Sequence, residues 1–128
     1  MDDLISQAAS LGLRVMWRDL GRRNGELTSG GLVRLNPRKP AIVQRCTLAH
    51  EMGHWWHGHD WTRDHDQLRD ERQADAYAAR LLISPAEYAL AERLNPHPGA
   101  IAKELEVTRH LVEVWQRLPA PTIQRRIV

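Results

Sequence analysis

Leu4, Ile5, Ala8, Ala9 and Leu11 recur three and four positions apart, so one face of residues 3–12 is apolar; the spacing predicts a helix that Gly12 ends. The period then shortens. Between Arg14 and Asn36, Val15/Trp17 and Leu32/Leu35 stand in short runs broken by Asn24-Gly25 and Gly30-Gly31, which predicts two or three short strands in a small sheet. Pro37 and Pro40 make "NPRKP" a loop, because each fixes φ and removes an amide donor. Over 41–57 the helical period returns in Ile42, Val43, Leu48, Ala49, Met52 and Trp56, with no proline and with Gly53 as the only glycine. The polar run "GHDWTRDHDQLRD" reads as a loop, followed by a helix over 70–83 with Ala74, Tyr77, Ala78, Leu81 and Leu82 on one side. Ser84, Pro85 and Glu87 supply a cap, a first-turn proline and a capping-box acid for a short helix to Leu94, which "NPHPG" stops.

These elements predict a small α+β domain, mostly helical, with a short N-terminal sheet and a C-terminal helical pair. A chain of 128 residues buries one modest core, leaving no room for a separate substrate domain. Phe is absent, so Trp17, Trp55, Trp56, Trp61 and Trp115 are expected to carry much of the aromatic packing. The net charge of +2 comes from Lys and Arg interspersed with Asp and Glu, which permits nucleic-acid binding without demanding it. The lone Cys46 excludes an internal disulfide, and the acidic opening "MDDLISQAASLGL" lacks the basic and apolar segments of a leader. No stretch reaches the roughly 18 apolar residues of a membrane span, so a cytoplasmic protein without membrane contact is expected.

The chemistry concentrates in "TLAHEMGHWWHGH", residues 47–59. His50 and His54 are four apart, which on a helix sets both imidazoles on one face with Cβ atoms about 6 Å apart. Two nitrogens can then converge on one zinc at about 2.0–2.1 Å. Glu51 falls beside the metal, where its carboxylate can take a proton from a water that the metal activates. H-E-x-x-H on a helix is thus a zinc-hydrolase signature with a mechanism behind it.

A catalytic zinc needs a third protein ligand. His57 shares the face but lies about 10 Å along the axis from His50, too far for one ion while the helix stays regular. Asp60 stands six residues past His54, where one zincin group has its ligand, but the turn glycine, Gly58, comes one position late. Glu71, in "DERQADAYAARLL", opens the next helix, so ligands would arrive from two helices, and Asp75 one turn on can accept the outer N–H of a zinc histidine. Glu71 is the preferred third ligand and Asp60 the alternative. His59 and His65 are candidates for contacts to the substrate or to an oxyanion. Cys46, one turn before His50, reads as a packed thiol.

"QRCTLAHEMGHWWHGH" followed by "ERQADAYAARLLIS" resembles the ImmA/IrrE family of zinc metallopeptidases, over residues 1–95. The resemblance implies a zincin-like domain with one Zn2+ per chain held by His50, His54 and Glu71, and Glu51 as the catalytic glutamate. It also implies a protein substrate, a helix-turn-helix repressor of phage or mobile-element regulation. "LLISP" departs from the family in carrying Ser84 before the proline. Residues 96–128 are expected to form an extension packed on the same unit. Within it "IAKELEVTRHLVEVW" resembles a helix-turn-helix, with Ala102 in the first helix, a turn and cap at Val107-Thr108, and Val112 and Trp115 facing inward. Its would-be reading residues Arg109, His110, Gln116 and Arg117 stand among Glu104, Glu106 and Glu113, which phosphates would repel, so packing on the core or on a partner is favoured over DNA reading. Two other classes stay open: a DNA-binding regulator with a structural zinc, and a module that binds a repressor or toxin without cutting it. The intact Glu51 argues against both.

Overall fold

A computed structural model of the chain describes residues 1–59 and 67–119. Along the chain run α1 (Asp2–Ser10), β1 (Arg14–Trp17), β2 (Gly25–Leu27), β3 (Leu32–Leu35), α2 (Ala41–Trp56), α3 (Gln67–Leu82), α4 (Pro85–Leu94), α5 (Pro98–Leu105) and α6 (Arg109–Arg117). The α+β class read from the periodicity is the observed one. The three strands form one sheet in the order β1-β3-β2, with β1 parallel and β2 antiparallel to the central β3. In β3 the pleat turns Val33 and Leu35 inward to complete burial. Gly12 takes φ +89° just after α1, a left-handed turn that ends the helix as expected.

The core is shared by all the layers: Leu4 and Ala8 of α1, Leu48, Ala49 and Met52 of α2, Ala78 and Ala79 of α3, Ile101 of α5 and Leu111 and Val112 of α6 belong to one cluster. Helices α2 and α3 cross at Gly53 and Ala74, where a Cβ on Gly53 would lie 2.8 Å from the Ala74 backbone. That close approach brings the polar side chains on either side of the crossing within reach of each other.

Several expectations shift. Helix α3 begins at Gln67, three residues inside the stretch read as loop. Its first turn exposes Leu68 and buries the charged Asp70, which inverts the pattern that marks a helix face. Trp56, read with the apolar positions of α2, is 63% exposed at the last residue of the helix, where its ring stands beside Tyr77 with centroids 6.2 Å apart. Trp17 is also exposed, whereas Trp55 and Trp115 pack against the core. Trp61, Asp60 and His65 lie outside the described residues.

Caps fix the C-terminal half. Ser84 accepts the Glu87 amide at 3.1 Å with Pro85 at the first helical position, as the sequence predicts. Between α5 and α6, Glu106 does adopt the left-handed conformation that a turn glycine would supply, with φ 55°. A non-glycine residue pays roughly 1–2 kcal/mol there. The turn is held nonetheless, since Arg45 of α2 donates to the Glu106 carbonyl at 2.6 Å and Thr108 caps α6 by accepting the Leu111 amide at 3.2 Å. Among the described residues no helix is long and apolar enough to cross a membrane.

Candidate metal centre

His50 and His54 leave α2 one turn apart, on the side facing α3, and Glu71 reaches them from α3. His50 Nε2 lies 3.1 Å from His54 Nε2 and 2.9 Å from Glu71 Oε2, and His54 Nε2 lies 3.1 Å from Glu71 Oε1. Donors held tetrahedrally at zinc-like lengths would be about 3.3 Å apart, so the donor atoms of these three residues stand close to the spacing one small cation needs. Two imidazoles and a carboxylate suit a borderline divalent metal. Glu51 also places a ligand atom within 4.8 Å of both imidazoles, but without the short contacts that Glu71 makes. It lines the open cleft beside them, about 610 Å3 in volume, together with Asn24, Gly25, Thr47 and His110.

Each histidine is gripped from behind. His50 Nδ1 is 2.9 Å from Asp75 Oδ1, the contact expected from the one-turn spacing of Glu71 and Asp75. His54 Nδ1 is 2.8 Å from His59 Nδ1, and His59 Nε2 is 2.8 Å from Gln73 Oε1 and 3.3 Å from Asp70 Oδ1. One set of tautomers serves both chains: Nδ1–H of His50 donates to Asp75, Nδ1–H of His54 donates to His59, Nε2–H of His59 donates to Gln73, and both Nε2 lone pairs of the α2 histidines face Glu71.

His59 thus occupies a different place from the one expected. Its side chain is only 6% exposed and packs against the edge of His54 remote from Glu71, so it is not set to touch a substrate or an oxyanion. The cause is the helix ending. Gly58 takes φ 67°, its amide donates to the Trp55 carbonyl and the His59 amide to the His54 carbonyl, a paired C-terminal motif that folds the residue after the glycine back over the last turn. The Gly58 signal is in the sequence, and it places His59 against His54. We predict that His59→Ala lowers metal affinity roughly 10–100-fold, the usual cost of losing a partner behind a ligand; titration against a chromophoric chelator reads it, and unchanged affinity would remove His59 from the site.

Burial and charge set the protonation states. Burial is the largest influence on Glu51 and, with the nearby Glu71 and Glu26 carboxylates, outweighs the attraction of His50 and pushes the carboxyl up to about 7. Burial, followed by the charge of His50, lowers His54 to about 4, which keeps its ring neutral, the form in which an imidazole could hold a metal. Burial opposes a charged His50 too, but the Asp75 hydrogen bond and the Glu71, Asp75 and Glu51 charges win, and its pKa is raised. Asp75 is held below the carboxylate range, because hydrogen bonds from His50 and His110 overcome the opposing effect of burial. Cys46 is buried, and that burial raises its thiol pKa.

Sequence reasoning found the two α2 histidines, Glu51, Glu71 and Asp75, and the fold brings all five together. It missed Gln73 and Asp70 behind His59, and it named His110 only among the would-be reading residues of a helix judged better suited to packing, whereas His110 Nε2 lies 2.9 Å from Asp75 Oδ2. Asn36 was also missed. Fully buried, it donates to the Gly21 and Arg23 carbonyls at 2.9 and 3.0 Å and so shapes the loop that walls the cleft beside Asn24.

No curated protein matches the chain. A peptidase family does: the M78 peptidases, through their IrrE N-terminal-like domain, match residues 8–114, from α1 to the middle of α6. A match over that much of a 128-residue chain, with the histidine–glutamate grouping of a metallopeptidase in its cleft, means that this protein belongs to the IrrE N-terminal-like M78 peptidase family.

Proposed function

We propose that the protein is a zinc-dependent endopeptidase that cleaves a helix-turn-helix repressor or a similar regulatory protein in the cytoplasm. The observation that carries this is the convergence of His50, His54 and Glu71 within 3.1 Å of one another with Glu51 beside them in an open cleft. In this reading those three residues hold one Zn2+ per chain, and Asp75 and His59 fix the imidazole orientations. The bound ion supplies Lewis acidity and a lowered pKa for water. Glu51 accepts the proton of the attacking water and delivers it to the amine nitrogen as the C–N bond breaks.

Strand β2 is an edge of the sheet and its Gly25 lines the cleft, which fits a substrate bound as an extended peptide along that edge. The choice of a repressor rests on the family resemblance of the sequence. Its test compares intact masses of cellular proteins after expression of the wild type and of Glu51→Gln. A helix-turn-helix protein cut only by the wild type supports the proposal; no cut protein would favour a module that binds its partner without cleavage.

A further inference from the structure

Arg109, His110, Gln116 and Arg117 of α6 are the residues a helix-turn-helix would turn toward DNA, but they are engaged otherwise. Arg109 lies 3.8 Å from Glu113, Gln116 donates to the Tyr88 hydroxyl at 2.9 Å, and Arg117 donates to the Glu113 carbonyl at 3.2 Å. His110 lines the cleft of His50 and Glu51. We propose that His110 is a further catalytic residue, donating a hydrogen bond from its ring to the substrate carbonyl oxygen as that oxygen gains negative charge. The proposal rests on the peptidase reading above.

Position comes first. The His110 side chain is 63% exposed, so a ligand in the cleft can meet it, and it is nonetheless anchored through Nε2 to Asp75 Oδ2 at 2.9 Å. A carboxylate only accepts, so Nε2 carries the proton in that bond, and Nδ1 has no protein partner among the described residues. The same Asp75 holds His50 through its other oxygen, which ties the ring to the metal site by one rigid bridge. The start of α6 is braced as well: Leu111 and Val112 are buried, Thr108 caps the helix, and Arg45 grips the preceding turn from α2, the helix that carries His50 and Glu51.

The chemistry calls for a donor at this place. When water adds to the peptide carbon, its O–H bond breaks toward Glu51, a C–O bond forms, and the carbonyl π pair moves onto oxygen. In its doubly protonated form, with Nε2–H held by Asp75, His110 would offer Nδ1–H to that charge. When the C–N bond breaks and Glu51 returns the proton to the amine, the carbonyl re-forms and His110 is unchanged.

The test uses the zinc-loaded full chain and two probes: a phosphinic alanyl pseudopeptide, whose anionic tetrahedral phosphorus group mimics the addition product, and the corresponding alanyl peptide. His110→Ala is expected to weaken calorimetric binding of the phosphinic probe by about 100-fold, in line with loss of one oxyanion donor. Peptide binding, zinc content and melting temperature should hardly change, and His110→Gln, which keeps an N–H donor, should recover part of the loss. If His110→Ala bound the phosphinic probe as tightly as the wild type, His110 would have no such role while the peptidase reading stood. Loss of zinc in His110→Ala would overturn the proposal differently, by making the residue a support for His50. A zinc-loaded wild type that failed to bind the phosphinic probe would sink the peptidase reading and this proposal with it.

Discussion

Glu51→Gln is expected to lower peptide cleavage by about 10²–10⁴-fold or more, the range for losing a positioned acid–base group, with metal content unchanged. Glutamine keeps the shape of the side chain and cannot take the proton of the attacking water. The short contacts among His50, His54 and Glu71 do not involve Glu51, so the proposed ligand set survives. The same substitution has a stability signature with a definite sign. In the unfolded chain Glu51 ionises near 4.5, whereas in the metal-free fold its pKa is pushed up to about 7. The fold therefore favours the protonated acid, and metal-free wild type loses stability as pH rises from 4.5 through 7. Glutamine has no proton to lose. Metal-free Glu51→Gln should be the more stable protein at pH 8, by as much as about 3 kcal/mol for a shift of this size, with the gap closing toward pH 4.5. Urea unfolding of chelated samples at pH 5 and 8 reads that gap, and measuring cleavage on the same preparations tests the base assignment, which retained activity in Glu51→Gln would refute.

What could be read in the sequence was whatever depends on regular helix geometry. His50 and His54, and likewise Glu71 and Asp75, are four apart, so each pair shares a face as soon as its helix exists, and only the meeting of the two helices remained to be found. Gly53 held part of that answer. A glycine inside a helix has no local purpose, and the role of Gly53 is the close crossing with Ala74. The first turn of α3 was hidden because Asp70 is buried by polar contacts with His59 and Arg69 rather than by apolar ones, so hydrophobic periodicity is silent there. His59 was legible in principle through Gly58, but as a cap motif and not as a ligand spacing. His110 was not: 35 residues separate it from Asp75, and no periodicity links positions on helices that meet only through the tertiary fold. Trp56 marks the opposite error, a residue in phase with the apolar positions of α2 that the fold leaves exposed at the last residue of the helix.

Glu71→Ala is expected to cut metal affinity by more than the roughly 10–100-fold that loss of an outer partner costs, because it removes one of the three donors proposed to hold the ion. The fold should tolerate the change. The Glu71 side chain is 42% exposed, and α3 is anchored elsewhere, by Ala74 against Gly53 and by Ala78 and Ala79 in the core. His50 and His54 would keep their grips on Asp75 and His59, so the loss falls on the third donor rather than on the imidazole orientations. Metal binding stabilises the native state according to RT ln(1 + [L]/Kd), about 2.7 kcal/mol at a hundredfold excess over Kd, so the rise in melting temperature on adding zinc should shrink sharply in Glu71→Ala. Zinc content after dialysis and the zinc-induced thermal shift, measured on one preparation, separate the cases. Weak retention with an intact metal-free melting point supports Glu71 as the third ligand. Full occupancy with an undiminished shift would transfer that role to another carboxylate, Asp60 first, and would make the short contacts of Glu71 with both imidazoles a feature of the metal-free site.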